Sequence, residues 1–354
     1  MLLITHKWKK NHFGGRQQYS RCLIESLKMN NYINFEIYNI NPYIKQNFSD
    51  KFFNLKTDYL SNIDISNIIK IIKKNKTKII LIDCSTMGLL CKKIKSFNKD
   101  IKIIIIHQHI EFSFFVKLFH NSKNVKNLFI AFKMYINEYL STKYSDKQIF
   151  FTKRDLNSAI ALYKSKNPKV LPVAQPVINN PEKKNNLTRI EKPYILFVGG
   201  GRLLPNSIGI LWFIKKVLSK IDLSLVVIGT GYEELAKKKF KKVIFLGKVN
   251  DLSHLYKNSE FVVAPIFSGS GMKTKVAESS GYGKTVFATS EAIIGYEKFE
   301  GKIFIKCQNE AEFIDNIKNY KKLIFKKEKI LEIFKKNYSI EAMSLNFNKL
   351  IKSV

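Results

Sequence analysis

Residues 264–278 read Ala264-Pro265-Ile266-Phe267-Ser268-Gly269-Ser270-Gly271-Met272-Lys273-Thr274-Lys275-Val276-Ala277-Glu278. A strand closes at Ala264, a glycine loop turns, and a helix is expected to open near Met272. Such a helix start presents unpaired backbone N–H groups and partial positive charge, which suits a diphosphate. Gly269 and Gly271 let the backbone approach that ligand, with Ser270 between them. Lys273 and Lys275 supply counter-charge at the mouth. Glu278 falls about one and a half turns into the helix, where a carboxylate can accept hydrogen bonds from ribose hydroxyls. Lys273 is expected to act with the helix dipole on one diphosphate. Lys275, offset from it by roughly 200° around the helix, is expected to matter much less if it faces solvent. The alternative is an ordinary glycine turn with solvated lysines and a surface Glu.

Outward from this block the same strand–loop–helix unit repeats. Strands are expected over 194–198, 223–228, 243–246, 261–264 and 285–288, with helices over 208–218, 232–240, 252–258 and 272–281. Upstream, 165–192 holds Pro168, Pro172, Pro176 and Pro181 among polar residues, the composition of a domain boundary. Before it, strands are expected over 2–4, 33–40, 78–82, 101–106 and 148–151, and helices over 19–27, 65–72, 124–140 and 154–163. Runs such as Ile103-Ile104-Ile105-Ile106 are apolar on both faces and belong in a parallel sheet covered on both sides. The expected class is α/β, with two Rossmann-like doubly wound domains facing a central cleft, where ligands bind at the carboxyl ends of the strands.

Several motifs then fall in one order: Phe197-Val198-Gly199-Gly200-Gly201, Pro205-Asn206, Gly209, Trp212-Phe213, Val227-Ile228-Gly229-Thr230-Gly231, Gly247-Lys248-Val249, Asp251-Leu252 and Leu255-Tyr256. The Gly-Ser-Gly-Met-Lys block with Glu278, then Gly281, Gly283-Lys284 and Ala288-Thr289, complete the series. Together they resemble the C-terminal domain of retaining glycosyltransferase family 4 (glycosyl transferases group 1). The resemblance implies a GT-B fold. It divides the chain into an N-terminal acceptor domain over 1–170, a linker over 171–192, a nucleotide-sugar domain over 193–335, and a helix over 336–354 that crosses back.

It also implies site residues. Lys273 and the amides of Gly269, Ser270, Gly271 and Met272 would meet the diphosphate, and Glu278 the ribose. Gly200 and Gly201 would let the first loop approach the phosphates, with Arg202 a second phosphate partner. Many relatives carry a further Glu eight residues before this one, where Ser270 stands here. Gly14-Gly15-Arg16-Gln17-Gln18-Tyr19 resembles the family's N-terminal glycine loop near donor and acceptor. In His107-Gln108-His109-Ile110-Glu111, alignment on the strand selects His107 and alignment on Glu111 selects His109 as the sugar contact. Tyr144-Ser145-Asp146 and Thr152-Lys153-Arg154-Asp155 match the family's pattern as scaffold. The implied donor is a nucleoside-diphosphate sugar acting as co-substrate, with no cofactor. The implied acceptor is a glycan or lipid-linked glycan of cell-surface polysaccharide biosynthesis. Cationic side chains would take the role of a metal, in agreement with the lack of an Asp-x-Asp motif.

At 354 residues, 45% hydrophobic, the chain has material for two cores. Met1-Leu2-Leu3-Ile4-Thr5 runs into His6, Lys7 and Trp8 without the pattern of a signal peptide, so a cytoplasmic protein is expected. Cys22, Cys84, Cys91 and Cys307 are scattered, which favours free buried thiols over a disulfide framework or zinc site. The net charge of +33 is mostly Lys and accompanies abundant Ile and Asn, a combination an AT-rich genome produces. It also suits the inner face of the cell membrane, with its anionic lipid head groups. The basic residues are spread along the chain, so no nucleic-acid partner is expected. Two other readings are a sugar-nucleotide 2-epimerase of the same fold and a basic lipid- or nucleic-acid-binding module. The second leaves the Gly-Ser-Gly-Met-Lys block without a role.

Overall fold

The computed structural model describes residues 1–7, 14–29, 34–41, 60–177, 190 and 193–354. The chain divides into two compact units: Met1–Pro172 with Ser344–Val354, and Val173–Met343.

The first unit is built on β1 (Leu2–His6), β2 (Glu36–Ile40), β3 (Ile79–Ile82), β4 (Lys102–His107), β5 (Lys147–Phe150) and β6 (Pro168–Val170). All pair in parallel, in the order β2-β1-β3-β4-β5-β6. Ile103 to Ile106 have no exposed surface, as a strand covered by helices on both faces requires. Asp146 closes the turn before β5, accepting from the Ile103 amide at 2.8 Å and the Lys95 ammonium at 2.8 Å. The Thr152 hydroxyl caps the helix Lys153–Tyr163.

The second unit holds β7 (Tyr194–Val198), β8 (Ser224–Ile228), β9 (Val243–Gly247), β10 (Val262–Ala264), β11 (Val286–Ala288) and β12 (Phe304–Lys306). Their order is β12-β11-β10-β7-β8-β9, again all parallel. This is the doubly wound dinucleotide-binding order, and its strand sequence reverses between β7 and β10. In the first sheet the reversal falls between β1 and β3. Parallel doubly wound sheets open a crevice at that point beyond the carboxyl ends of the strands.

Several elements depart from the expected ones. The helix expected at 272 begins at Thr274 and runs to Gly281. The helix expected over 232–240 shrinks to Glu233–Ala236, because Lys239 and Lys242 turn into the left-handed region at φ 45° and 61°. Two helices absent from the expected series, Gly88–Phe97 and Glu111–Ser122, flank β4. Residue 33 of the expected strand over 33–40 and most of the linker over 171–192 lie outside the described residues. The chain ends on the helices Lys327–Asn337 and Ile340–Lys352, and Lys147 donates to the Ser353 hydroxyl at 2.6 Å within the first unit. Among the described residues no helix is long and apolar enough to cross a membrane.

Candidate functional site

Two glycine loops meet at the crevice of the second unit. The first, Gly199-Gly200-Gly201, leaves β7, and the second, Ser268-Gly269-Ser270-Gly271, follows β10 and leads to the helix at Thr274. Between them stands the helix Leu204–Lys216, seated so close to the second loop that a Cβ at Gly209 would collide with the Pro265 carbonyl oxygen. A Cβ at Gly201 would likewise collide with the Gly231 carbonyl oxygen of the loop after β8. Gly201 donates to the Thr230 carbonyl at 2.8 Å. These glycines are required by backbone meeting backbone, which leaves the loop amides near the strand ends.

Asn206 joins the two loops. Its amide donates to the Gly200 carbonyl at 2.8 Å, and its side-chain oxygen accepts from the Lys275 ammonium at 2.9 Å. Lys275 also lies over the Phe197 ring, 4.2 Å from its centroid. It therefore points back to the end of β7 and not into solvent, so the condition under which it is expected to matter little is not met. Burial lowers its pKa to about 7, with Glu278 pulling upward and Lys273 pushing further down. Burial in turn raises Glu278 to about 7, opposed by Lys275. Among the described residues no donor meets the Glu278 carboxylate. The helix at Thr274 opens with no side-chain cap. One cation, one open carboxylate and a helix start thus converge at the β7/β10 switch point.

Lys273 is placed differently from its expected role. Its ammonium is folded into its own loop, donating to the Ser270 carbonyl at 3.2 Å, the Gly271 carbonyl at 3.1 Å and the Glu291 carboxylate at 2.8 Å. It braces the glycine loop, in which Gly269 and Gly271 take φ of 140° and 62°. Met272, expected to offer its amide to the diphosphate, is buried against Gly295. Its side chain is a packing anchor. Arg202 is exposed on the outer lip, against Gly231 and near the charge of Glu233.

In the first unit, Gly14 precedes the helix Gly15–Lys28, which opens with no side-chain cap, and a Cβ at Gly14 would meet nothing within 4 Å. At the end of β3, the buried Asp83 accepts from Thr5 at 3.0 Å, Ser20 at 2.5 Å and Gln108 at 3.0 Å. Burial raises its pKa against those hydrogen bonds and the Arg16 charge. This carboxylate ties the start of the first helix to the ends of β1, β3 and β4.

The two histidines separate clearly. His107 is fully buried, stacked on Phe150 at 4.5 Å, with neither ring nitrogen hydrogen-bonded. Burial, then His109, lowers its pKa to about 3. As a sugar contact it is corrected: the ring is sealed in the core. His109 keeps an accessible ring edge and pairs with Glu111 at 3.2 Å. Burial disfavours its charge, but Glu111 prevails and its pKa rises, while that of Glu111 falls. Asn206 and Gly209 carried a sequence signal through their motifs, without a role. Glu291 and Asp83 carried none.

Residues 192–321 match the family described as glycosyl transferases group 1. No curated protein matches the sequence. The solved structures it resembles include HepE of Anabaena in complex with UDP and glucose, at 12% identity and TM-score 0.68 over 100% of this chain and 99% of that one. Sucrose-phosphate synthase from Thermosynechococcus elongatus superposes with TM-score 0.70 at 12% identity, covering 99% of this chain and 98% of that one. The lipopolysaccharide outer core galactosyltransferase WaaB gives 0.65 at 14% identity, covering 99% of each chain. At these identities the superpositions show the fold alone, which is GT-B, and the match to the glycosyl transferases group 1 model falls within the second unit.

Proposed function

We propose that this GT-B chain transfers a sugar from a nucleoside-diphosphate sugar to a hydroxyl of a glycan or lipid-linked acceptor, with retention at the anomeric carbon. A role in cell-surface polysaccharide synthesis fits this reading. The observation that carries it is the β7/β10 crevice, where two glycine loops, the Lys275 ammonium, an uncapped helix start and the open Glu278 carboxylate converge. Uridine diphosphate is the first nucleotide to try, because HepE was crystallised with it.

In this reading the diphosphate lies across the two loops, and the Glu278 carboxylate accepts from the ribose hydroxyls. As the bond from the anomeric carbon to the phosphate oxygen breaks, its electron pair passes to that oxygen. Lys275 and the helix start stabilise the growing negative charge, an electrostatic effect that strengthens toward the transition state. The acceptor hydroxyl attacks on the face the phosphate leaves, and its proton goes to the departing phosphate oxygen. No protein nucleophile and no resident metal are invoked.

A thermal-shift panel of nucleoside diphosphates and sugar nucleotides tests the binding half. A ligand at about a hundredfold excess over its dissociation constant adds about 2.7 kcal/mol of stability. The transfer half is tested by release of nucleoside diphosphate from the donor when an acceptor glycan is added. A panel in which no nucleotide moves the melting temperature would sink the proposal.

A further inference from the structure

The helix Val125–Tyr144 is inverted in polarity. The side chains it buries are Ala131, Lys133, Asn137, Glu138, Ser141 and Thr142. On its other side Val125, Leu128 and Phe132 are 71%, 48% and 58% exposed. Steps of three and four residues put these three on one face, which Tyr139 extends a further two turns. The preceding helix, Glu111–Ser122, packs against it and fully buries none of its residues, although Phe114, Phe115 and Phe119 lie along it.

The polar interior has a physical reason. The fully buried Glu138 carboxylate accepts from the amides of Glu111 and Phe112 at 3.0 Å each, the Ser85 hydroxyl at 3.1 Å and the Tyr163 hydroxyl at 2.8 Å. It caps the first helix and clamps the second to the unit, so the outward apolar face is held in place. Contiguous exposed apolar surface of this kind marks an interaction site.

Charge identifies the occupant. From 112 to 137 the chain carries Lys117, Lys123, Lys126 and Lys133 and no Asp or Glu. The first three are exposed. A second copy would bring the same basic rim and its own +33 charge, which repels. An anionic bilayer takes both parts: apolar side chains enter the acyl boundary, while lysines stay at the phosphates. We propose that this helical hairpin docks on an anionic lipid surface, with Val125, Leu128 and Phe132 inserted and Lys117, Lys123 and Lys126 at the head groups. The proposal is independent of sugar transfer.

Sedimentation of the full chain with vesicles tests it, using phosphatidylcholine alone and mixed with phosphatidylglycerol. Binding is expected with the anionic vesicles only, and to weaken about tenfold or more in the Leu128→Ser/Phe132→Ser variant. A comparable loss is expected when Lys117, Lys123 and Lys126 become Gln. Because the serine variant could fail to fold, Phe132→Trp serves as a second readout. Its added fluorescence should shift to the blue on anionic vesicles. Unchanged vesicle affinity in both sets of variants, or an added indole that keeps the emission of water, would overturn the proposal. So would a concentration-dependent dimer that Phe132→Ser abolishes, since the occupant would then be a second copy.

Discussion

Two lysines two residues apart point to different partners. Lys273 is held by Glu291 and two loop carbonyls, and Lys275 by Asn206 and the face of Phe197. Lys275→Met should therefore lower turnover by about a hundredfold or more, exceeding its effect on donor affinity. Lys273→Met should act through loop stability instead. Glu291→Gln should reproduce it, and the double variant should be little worse than either single one, read as melting temperatures in a double-mutant cycle. This half-buried pair also sets a pH dependence. Glu278 rises to about 7, so the folded chain holds a proton that the unfolded chain has released above about 4.3; stability falls across that window. Lys275 drops to about 7, so the unfolded chain holds the extra proton up to about 10.4, and stability recovers as pH rises through that range. Relative to the wild type, Lys275→Met/Glu278→Gln should gain most in melting temperature near pH 7. A gain that is the same at pH 5, 7 and 9 would contradict the desolvation of both charges.

At the scale of elements, the packing of the helix Leu204–Lys216 on the loop after β10 decides whether the two glycine loops form one site. Gly209→Ala puts a methyl group where the Pro265 carbonyl stands, and should cost about 1–3 kcal/mol through overpacking. Donor affinity should fall with it, because Asn206 on the same helix loses its register with Gly200 and Lys275. Calorimetry with a sugar nucleotide on the folded variant measures this, and unchanged affinity would separate the helix from the site. In the first unit, Glu138→Gln replaces a carboxylate that accepts from four donors by a group that must itself donate. Leaving a buried donor unmatched costs about 1–3 kcal/mol, read as a lower melting temperature. The helix Glu111–Ser122 has no fully buried residue, and its apolar residues Phe112, Phe114, Phe115, Val116, Leu118 and Phe119 run nearly all round it, so it carries no clean 3.6-residue periodicity. The helix over 232–240 was overextended because nothing in its composition reveals the left-handed turns at Lys239 and Lys242.

For the molecule as a whole, a sugar nucleotide should protect backbone amides from hydrogen exchange most strongly at 199–202, 229–231 and 268–278. Protection centred instead on the ends of β1 and β3 would move the donor to the first unit. The class of the fold and the place of its loops are legible in the chain. Strands apolar on both faces suit a covered parallel sheet, and the glycine loops stand at strand ends, where Gly201 lets backbone meet backbone and Gly269 and Gly271 take positive φ. These are local consequences of hydrophobicity and the missing Cβ, legible along the chain. Which charged groups face the crevice depends on contacts made between distant parts of the chain. Lys275 turns inward through Asn206, sixty-nine residues away, and Lys273 is claimed by Glu291, eighteen residues on. His107 is sealed by Phe150 on the neighbouring strand. The orientation of a long polar side chain depends on partners brought together by the strand crossovers, and their energies arise from burial that no local pattern of residues encodes.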